Sequence, residues 1–316
     1  MTAEREKPSP EASSLVARMR AGELVALART LTELERLSPS APKLIADMAP
    51  FLGHAQVVGF TGPPGTGKST LVNAYVRQLR SDGKTVGVIA VDPSSPVSGG
   101  ALLGDRVRMN EHTGDDGVFI RSLASRGHVG GLTPAAVRMI DVFDAAGKDV
   151  VILETVGAGQ SEIDVAEVAD IRIVLSAPGL GDDIQAMKSG ILEIADILVV
   201  NKADLPGAEK TCSQLRSALS LSASKSAIGV LTTVATTGEG VSELVDQVGT
   251  VASACTDSPR DRRRKRARRL LAWAAADLIE RRIRDRADGE IDALCDKILS
   301  GSATPDQAAG KLLKGA

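Results

Sequence analysis

The stretch VVGFTGPPGTGKSTL, residues 57–71, decides the fold of this chain. It begins within a short run of β-branched and apolar residues, 56–60, which is typical of a buried parallel strand. A loop of glycines, prolines and polar residues follows, and then a segment with apolar residues at helical spacing. The order of strand, glycine-rich loop and helix predicts an α/β domain with a mostly parallel sheet flanked by helices.

The glycine-rich loop matches the pattern G-x-x-x-x-G-K-[ST] in full. Because Gly62, Gly65 and Gly67 carry no Cβ, the loop can curl so that its backbone N–H groups converge on an anion. A helix that begins near Lys68 adds free N–H groups and the positive end of its dipole. A chance glycine turn is the alternative, but motif and context together favour a site for the phosphate tail of a nucleotide.

The side chains of the loop have separate expected roles. Lys68 is expected to reach the β- and γ-phosphates, and the Ser69 hydroxyl to bind Mg²⁺. Pro63 and Pro64 stiffen the loop, which reduces the entropy lost when a ligand binds. The predicted phosphate-binding residues are Gly62, Pro63, Pro64, Gly65, Thr66, Gly67, Lys68, Ser69 and Thr70.

Two aspartates beyond the loop are candidate partners of Mg²⁺. Asp92 follows the predicted strand 85–91, and a carboxylate at the carboxyl end of a strand beside the phosphate loop is well placed for the metal. A turn-forming aspartate is the alternative at this position. Asp105 lies in the polar, glycine-rich stretch 98–117, which suits either a loop that orders around the γ-phosphate or a solvated surface loop.

An acidic residue also follows the strongly apolar strand predicted at residues 149–153. Glu154 is expected to hold Mg²⁺ through water or to orient the attacking water, and the Gly157 N–H is expected to meet the γ-phosphate. The predicted catalytic residues are Lys68, Asp92, Asp105 and Glu154, and the predicted metal-binding residues are Ser69, Asp92, Asp105 and Glu154.

The sequence NKAD, residues 201–204, follows the apolar run ILVV more than a hundred residues beyond the loop. Asp204 can accept two hydrogen bonds from the N1–H and 2-amino groups of guanine, a donor pair that adenine lacks. The stem of Lys202 can lie over the base, and Asn201 can hold the loop together. The residues expected to close over the base edge are Val234, Ala235 and Thr236. The predicted nucleotide is therefore GTP or GDP.

Helical segments surround this domain. The predicted division is an N-terminal helical extension at 1–53, a nucleotide-binding domain at 54–256 and a C-terminal helical arm at 257–316. Eight of the ten residues in 260–269 are basic. A nucleic-acid-binding or nuclear-targeting segment is one interpretation. An exposed helix face, with an apolar stripe from 270 to 283 buried behind it, is favoured because no aromatic residues are interleaved.

Composition argues against several classes of protein. The net charge of −2 over 316 residues gives no general attraction to nucleic acid or to a membrane. No apolar run approaches the roughly 18 residues that a membrane span needs, and the first residues carry no signal-peptide core. The three cysteines are far apart and fit no disulfide framework, so we expect reduced, buried thiols in a cytoplasmic protein.

Five segments in order, GPPGTGKST, VDPSS, GDRVRM, ETVGAGQSE and NKAD, resemble the MeaB/ArgK-type P-loop GTPases. These proteins are chaperones of adenosylcobalamin-dependent methylmalonyl-CoA mutase, and the resemblance covers nearly the whole chain. It implies Mg²⁺ at Ser69 with help from Asp92, Asp105 and Glu154, and a homodimer through the C-terminal arm. It also implies that the nucleotide state is passed to the mutase, gating cofactor loading and protecting the enzyme from inactivation.

The segment that follows the predicted strand 171–176 mixes flexible, charged and apolar residues. We expect it to couple the nucleotide to the partner through Gln185 and Lys188, and an ordinary strand-to-helix connection is the alternative. The motifs supply no assured arginine finger or catalytic glutamine, so a low intrinsic rate of GTP hydrolysis is expected.

Two other function classes stay open. The segment ETVG, residues 154–157, has a Glu-x-x-Gly pattern where Ras-like proteins have Asp-x-x-Gly, which points to the subgroup shared with metallochaperone GTPases. Such proteins need clustered Cys and His ligands, and the histidines here, His54, His112 and His128, are scattered. A small-molecule kinase, linked to arginine and ornithine transport in an older interpretation of the family, uses the same phosphate loop.

Overall fold

The computed structural model describes residues 14–92, 112, 114–124, 134–155, 165, 167–179, 191–220, 228–285 and 289–314. The predictions for Asp105, Gly157, Gln185 and Lys188 lie outside these residues, as does the side chain of Asp92. The chain divides into two compact units, Met1–Arg266 and Ala267–Ala316. The three-part division at residues 53 and 256 stays a prediction.

A seven-stranded sheet forms the core of the first unit. Its strands are β1 Gln56–Thr61, β2 Val86–Asp92, β3 Val118–Ala124, β4 Val150–Thr155, β5 Ile171–Ser176, β6 Ile197–Asn201 and β7 Val230–Thr233. They lie in the order β3-β2-β4-β1-β5-β6-β7, and every pairing between them is parallel. The predicted α/β architecture is confirmed. Since all carboxyl ends share one edge, the loop after β1 meets the ends of β4, β5 and β6 there.

Helices precede, cover and follow this sheet. Before it lie α1 Leu15–Arg20, α2 Leu24–Glu35, α3 Ala41–Met48 and a 3₁₀ turn, Ala49–Phe51. Within the sheet's connections lie α4 Lys68–Ser81, α5 Pro134–Ala145, α6 Ile191–Ile194 and α7 Ala208–Ser220. The chain continues with α8 Val241–Ala254, α9 Pro259–Asp285, α10 Gly289–Leu299 and α11 Pro305–Lys314.

Side chains alternate across the strands, so each face of the sheet packs on different helices. Phe60 of β1 contacts Tyr75 of α4, with ring centroids 5.3 Å apart. Val174 of β5 points to the opposite face, in a cluster with residues of α7. Gly87 of β2 lies against α5, where a Cβ would come 2.5 Å from the ring of Phe143. Both faces are therefore buried, as a parallel sheet requires.

The N-terminal helices are anchored to this domain by polar contacts. The Arg121 guanidinium of β3 lies 2.6 Å from Glu35 of α2. The buried Asp144 carboxylate of α5 accepts hydrogen bonds from the backbone N–H groups of Gly53, His54 and Ala55, at 2.5, 3.0 and 2.9 Å. These three bonds hold the chain in place just before it enters β1.

The basic run at residues 260–269 does not form a uniformly exposed helix face, contrary to the favoured interpretation. Arg266 is only 5% exposed. It donates to the Val168 carbonyl at 3.1 Å and to Asp170 Oδ1 at 2.6 Å. The other carboxylate oxygen of Asp170 accepts from the Val57 N–H at 2.9 Å. Arg266 is therefore buried because it pairs with the buried Asp170 carboxylate at the start of β5.

The apolar stripe predicted on α9 is only partly buried within the single chain. Leu270, Trp273 and Ile279 are half-buried, whereas Leu271, Leu278 and Ile283 are exposed at 70%, 67% and 47%. Leu299 at the end of α10 is 84% exposed. Apolar side chains of this size at high exposure leave a surface that favours association.

Two compositional predictions are tested by the structure. Cys212 is buried in the α7 cluster, but Cys255 and Cys295 are exposed, so a packing role is confirmed for only one thiol. None of the helices in the described ranges is long and apolar enough to cross a membrane.

Candidate nucleotide site

The glycine-rich loop between β1 and α4 needs its glycines for shape and for space. Gly62, Gly65 and Gly67 have φ angles of 142°, 81° and 85°, which side-chain-bearing residues rarely adopt. A Cβ on Gly62 would lie 2.4 Å from the carbonyl oxygen of Leu175, and one on Gly67 would lie 2.6 Å from Asn201 Nδ2. Nothing lies within 4 Å of a Cβ on Gly65. This curled loop leads directly into the first turn of α4.

The Lys68 ammonium lies inside the curled loop. Its Nζ donates to the carbonyl oxygens of Gly62 and Pro63, at 2.6 and 2.9 Å, and the residue is buried. The Thr66 hydroxyl also donates to the Pro63 carbonyl, at 2.9 Å. A cation at the start of a helix, next to free N–H groups, is complementary to a phosphate chain.

Two of the predicted metal-binding residues meet at the start of α4. The Ser69 hydroxyl donates to Glu154 Oε1 at 2.5 Å, and both residues are buried. A hydroxyl and a carboxylate are the hard oxygen donors that Mg²⁺ prefers, so this pair fits that ion. The backbone of Asp92 ends β2, the strand next to β4, at the same edge of the sheet.

Asn201 joins three segments of the site. Its Nδ2 donates to the Thr66 carbonyl at 2.8 Å, and its Oδ1 accepts from the Thr233 hydroxyl at 3.0 Å and from the Ala235 N–H at 3.2 Å. The side chain is therefore bonded to the phosphate loop, to the end of β7 and to the segment beyond it. Sequence reasoning named Asn201 and Ala235 but missed Thr233, which follows from the register that pairs it with Asn201.

The remaining residues of the predicted base site differ in exposure. Asp204 and Thr236 are exposed, whereas Val234 and Ala235 are buried. Lys202 adopts a positive φ of 58° and is half-buried. A Cβ on the last glycine of the phosphate loop would lie 3.8 Å from its Cε, so the lysine stem runs beside that loop. The Asp204 carboxylate is thus accessible to a base at this edge of the sheet.

Sequence reasoning also missed three buried hydroxyl groups. Thr61, Thr155 and Ser176 end the adjacent strands β1, β4 and β5. Their hydroxyl oxygens have no hydrogen-bond partner in the part of the chain that the structure describes. Ser and Thr at strand ends are common, so no pattern singled them out. They place polar groups that still require partners at the edge where the phosphate loop lies.

Comparison with known proteins decides the family. The family model for the methylmalonyl Co-A mutase-associated GTPase MeaB matches residues 27–290. The chain belongs to the MeaB family. The resemblance inferred from the five sequence segments is confirmed by this match.

Three relatives illustrate the extent of the similarity. A protein of Pyrococcus abyssi named as a GTPase is 42% identical over 308 residues, which is 95% of each chain. The mouse mitochondrial methylmalonic aciduria type A homolog is 34% identical over 270 residues, which cover 81% of this chain and 64% of the relative. The solved structure of a LAO/AO transport system kinase is 27% identical with a TM-score of 0.75, and the match covers 95% of both chains.

The MeaB-family chain is therefore a P-loop GTPase, which binds GTP and GDP and hydrolyses GTP. The solved neighbour has the same fold over nearly its whole length. The family match gives the activity, and the curled phosphate loop with its buried Lys68 is consistent with it.

Proposed function

We propose that this MeaB-family GTPase is a chaperone of adenosylcobalamin-dependent methylmalonyl-CoA mutase. Its nucleotide state gates the loading of the cofactor onto the mutase and protects the enzyme from inactivation. The observation that carries the proposal is the match of residues 27–290 to a family described as mutase-associated GTPases. The named mouse relative, a methylmalonic aciduria type A homolog, supports the same client.

In the proposed hydrolysis, the chain positions the triphosphate and stabilises the charge that develops on it. The Lys68 ammonium and the loop N–H groups, with Gly157, contact the phosphates as water attacks the γ-phosphorus in line. Mg²⁺, held by Ser69 and Glu154 with Asp92 and Asp105 as further proposed ligands, would neutralise charge on the β- and γ-phosphates. Intrinsic turnover is low in this proposal, and the partner raises it.

Guanine recognition is proposed at the opposite end of the same nucleotide. Asp204 accepts hydrogen bonds from the base, the Lys202 stem lies along its face, and the segment 234–236 closes over its edge. The exposure of Asp204 and the hydrogen bond between Ala235 and Asn201 support this arrangement. Binding of GTP at least about 100-fold tighter than ATP, measured by calorimetry, is the expected result.

A homodimer through the second unit is part of the proposal. Leu271 and Leu278 are seven residues apart on α9, hence on one helix face, and both are about 70% exposed. A second copy of the chain would cover these side chains. Leu271→Asp with Leu278→Asp should shift sedimentation equilibrium from dimer to monomer, whereas Leu37→Asp, at an exposed site of the first unit, should not. A wild-type monomer at micromolar concentration would contradict the dimer.

Communication with the mutase is proposed to run through Gln185 and Lys188. The test uses purified full-length GTPase and methylmalonyl-CoA mutase, with binding measured by calorimetry in GDP and in a non-hydrolysable GTP analogue. We expect the affinities to differ at least about fivefold, because a nucleotide state can be passed on only by differential binding. Lys68→Ala should abolish that difference. Equal affinities in both nucleotide states would reject the chaperone proposal while leaving the GTPase activity intact.

One alternative function has a specific observation in its favour. The solved neighbour is named as a LAO/AO transport system kinase, so phosphoryl transfer to a small molecule is a second candidate. Transfer of labelled phosphate to arginine, ornithine or lysine in excess of transfer to water would establish it.

A metallochaperone needs a cluster of metal ligands. The described ranges contain no group of three His, Cys, Asp or Glu residues suited to a metal ion. A cytoplasmic location is proposed from the reduced cysteines and stays a prediction.

A further inference from the structure

A second cavity lies at the amino edge of the sheet, away from the nucleotide site. It has a volume of about 510 Å³ and lies wholly within the first unit. Gln56 and Val150, the first residues of β1 and β4, form part of its wall. The phosphate loop follows the opposite end of β1, so the strand separates the two sites. The cavity is large enough for a small organic molecule.

Basic side chains dominate the lining of this cavity. They are Arg20, His54, Lys84, Lys148 and Arg262. Each of these residues comes from a different segment of the chain, so no motif in the sequence indicates the cluster. The cavity therefore concentrates positive charge in a chain whose net charge is only −2.

The two acidic residues in the lining are already occupied. Asp144 accepts the three backbone N–H groups that precede β1. Asp149 Oδ2 accepts from both the N–H and the hydroxyl of Thr85, at 2.7 and 2.8 Å. By contrast, the side chains of Arg20 and Lys84 form no hydrogen bond or ion pair with the residues that the structure describes. Among the lining cations, Arg262 lies 3.9 Å from Asp170. Against the effect of burial, the Thr85 hydrogen bonds and then the nearby Lys84 and Lys148 lower the pKa of the Asp149 carboxyl group. Arg20 and Lys84 therefore keep their hydrogen-bond donors available to an added anion.

Arg20 is also held in place for binding. Its guanidinium carbon lies 3.6 Å from the centroid of the Phe51 ring, which restricts the side chain at the cavity wall. At the other side, the buried Lys148 donates to the carbonyl oxygen of Gly117 at 3.1 Å. Cations that are already positioned lose less conformational entropy when an anion binds.

We propose that this cavity binds a small organic anion that carries phosphate or carboxylate groups. Such a ligand pairs with Arg20 and Lys84 and bridges the N-terminal helices to the amino ends of β1 and β4. Because it binds only the folded chain, it stabilises the first unit by an amount that rises with the logarithm of its concentration above the Kd. The proposal is independent of the client of the GTPase.

The test follows His54, which lines the cavity and is one of three histidines in the chain. The full-length protein is saturated with GDP and Mg²⁺, so that the phosphate loop does not take up the added anion. Inorganic phosphate and succinate are then titrated separately while the histidine Cε1–H protons are followed by NMR, with His54→Gln used for assignment. We expect a saturable shift of the His54 signal, with a Kd of about 1 mM or lower for at least one anion; a Kd above about 10 mM for both anions would contradict the proposal.

Matched double variants separate a specific site from general charge attraction. Arg20→Ala with Lys84→Ala should weaken binding at least about tenfold, because it removes the two cations that pair with the anion in the proposal. Arg29→Ala with Lys43→Ala removes two exposed basic residues outside the cavity and should leave the Kd unchanged. Retained GDP binding and the single variant Lys84→Gln check that lost binding is not lost folding.

Each outcome decides the proposal. Saturation with phosphate alone identifies a phosphorylated ligand, and saturation with succinate alone identifies a carboxylate. A shift that grows linearly without saturation overturns the proposal, and so does equal weakening by the two double variants.

Discussion

Asn201 donates a hydrogen bond from Nδ2 to the carbonyl oxygen of Thr66 at 2.8 Å, so the NKAD segment and the phosphate loop are joined by one buried side chain. The amide oxygen of the same residue accepts from Thr233 and Ala235. The two ends of the nucleotide site are therefore a single hydrogen-bonded unit. A substitution at one end should alter the hydrogen bonds at the other end as well.

Replacing Asn201 with Ala should weaken nucleotide binding and also destabilise the fold. The change removes three buried hydrogen bonds worth about 1 kcal/mol each and leaves their partners unsatisfied. We expect a 10- to 100-fold higher Kd for fluorescent GDP, to an order of magnitude, and a loss of about 2 to 3 kcal/mol in the free energy of unfolding in urea. Thr233→Val removes one of these bonds and should show roughly a third of the effect. Equal losses in both variants would argue against Asn201 as the junction.

The glycines of the phosphate loop offer a matched pair. Gly65 and Gly67 have φ angles of 81° and 85°, so Ala at either position should cost about 1 to 2 kcal/mol in backbone strain. At Gly67 the added Cβ would also lie 2.6 Å from Asn201 Nδ2, whereas at Gly65 it would meet open space. Thermal unfolding of the nucleotide-free protein should therefore show a larger drop in Tm for Gly67→Ala. A drop of the same size for both would mean that the clash is relieved without cost.

Asp204→Asn should change the base that the protein selects. The amide loses one acceptor for the N1–H and 2-amino donors of guanine and gains an N–H donor, which suits the 2-oxo group of xanthine. We expect GTP affinity to fall about 30- to 100-fold, and xanthosine triphosphate to bind more tightly than it does to the wild type. Competition titrations against fluorescent GDP measure both values. Unchanged GTP affinity would remove Asp204 from the proposed base site.

The strands of the sheet were predictable because each is a short, apolar and largely β-branched run between turn residues. The run IRIVLS is β5 over its whole length, and ILVV lacks only Asn201 of β6. The phosphate-binding loop at residues 62–69 was equally predictable, because the spacing of its glycines has a direct steric cause.

Contacts between distant segments could not be predicted in the same way. Nothing in the run at 260–269 marks Arg266 as the arginine that meets Asp170, because the choice depends on how α9 packs against the start of β5. The periodicity of α9 predicts an apolar stripe, but it does not tell whether the surface that packs against this stripe belongs to the same chain or to another one. Residues from five separate segments likewise converge on the cavity near Phe51 without forming a motif.

Arg266→Ala should be among the most destabilising single changes in the first unit. Its partner Asp170 has a side chain that is only 5% exposed, so removing the guanidinium leaves a buried carboxylate whose remaining counter-charge is the more distant Arg262, at 3.9 Å. We expect a loss of about 3 kcal/mol or more in the free energy of unfolding. Arg268→Ala, two residues along the same helix at an exposed position, should change stability by less than about 0.5 kcal/mol. Urea unfolding of both variants makes the comparison, and similar values would show that the buried pair is dispensable.

Asp141 of α5 should make the stability of the first unit depend on pH in the direction opposite to most carboxylates. Burial raises the pKa of Asp141 to about 6, although Arg266 and Arg263 act to lower it. In the unfolded chain the carboxyl group titrates at about 3.9, so between about pH 4 and pH 6 the folded state binds more protons. The free energy of unfolding contributed by this group therefore falls as pH rises through that window and stays low above it.

Asp141→Asn removes this charge penalty and should raise the free energy of unfolding at pH 8 by about 1 to 3 kcal/mol, with almost no effect near pH 4. Asp82→Asn, at an exposed position, serves as the matched control and should leave the pH profile unchanged. Urea unfolding at a series of pH values from about 4 to 8 provides the measurement. A gain that is the same at both ends of this range would mean that Asp141 acts through packing and not through its charge.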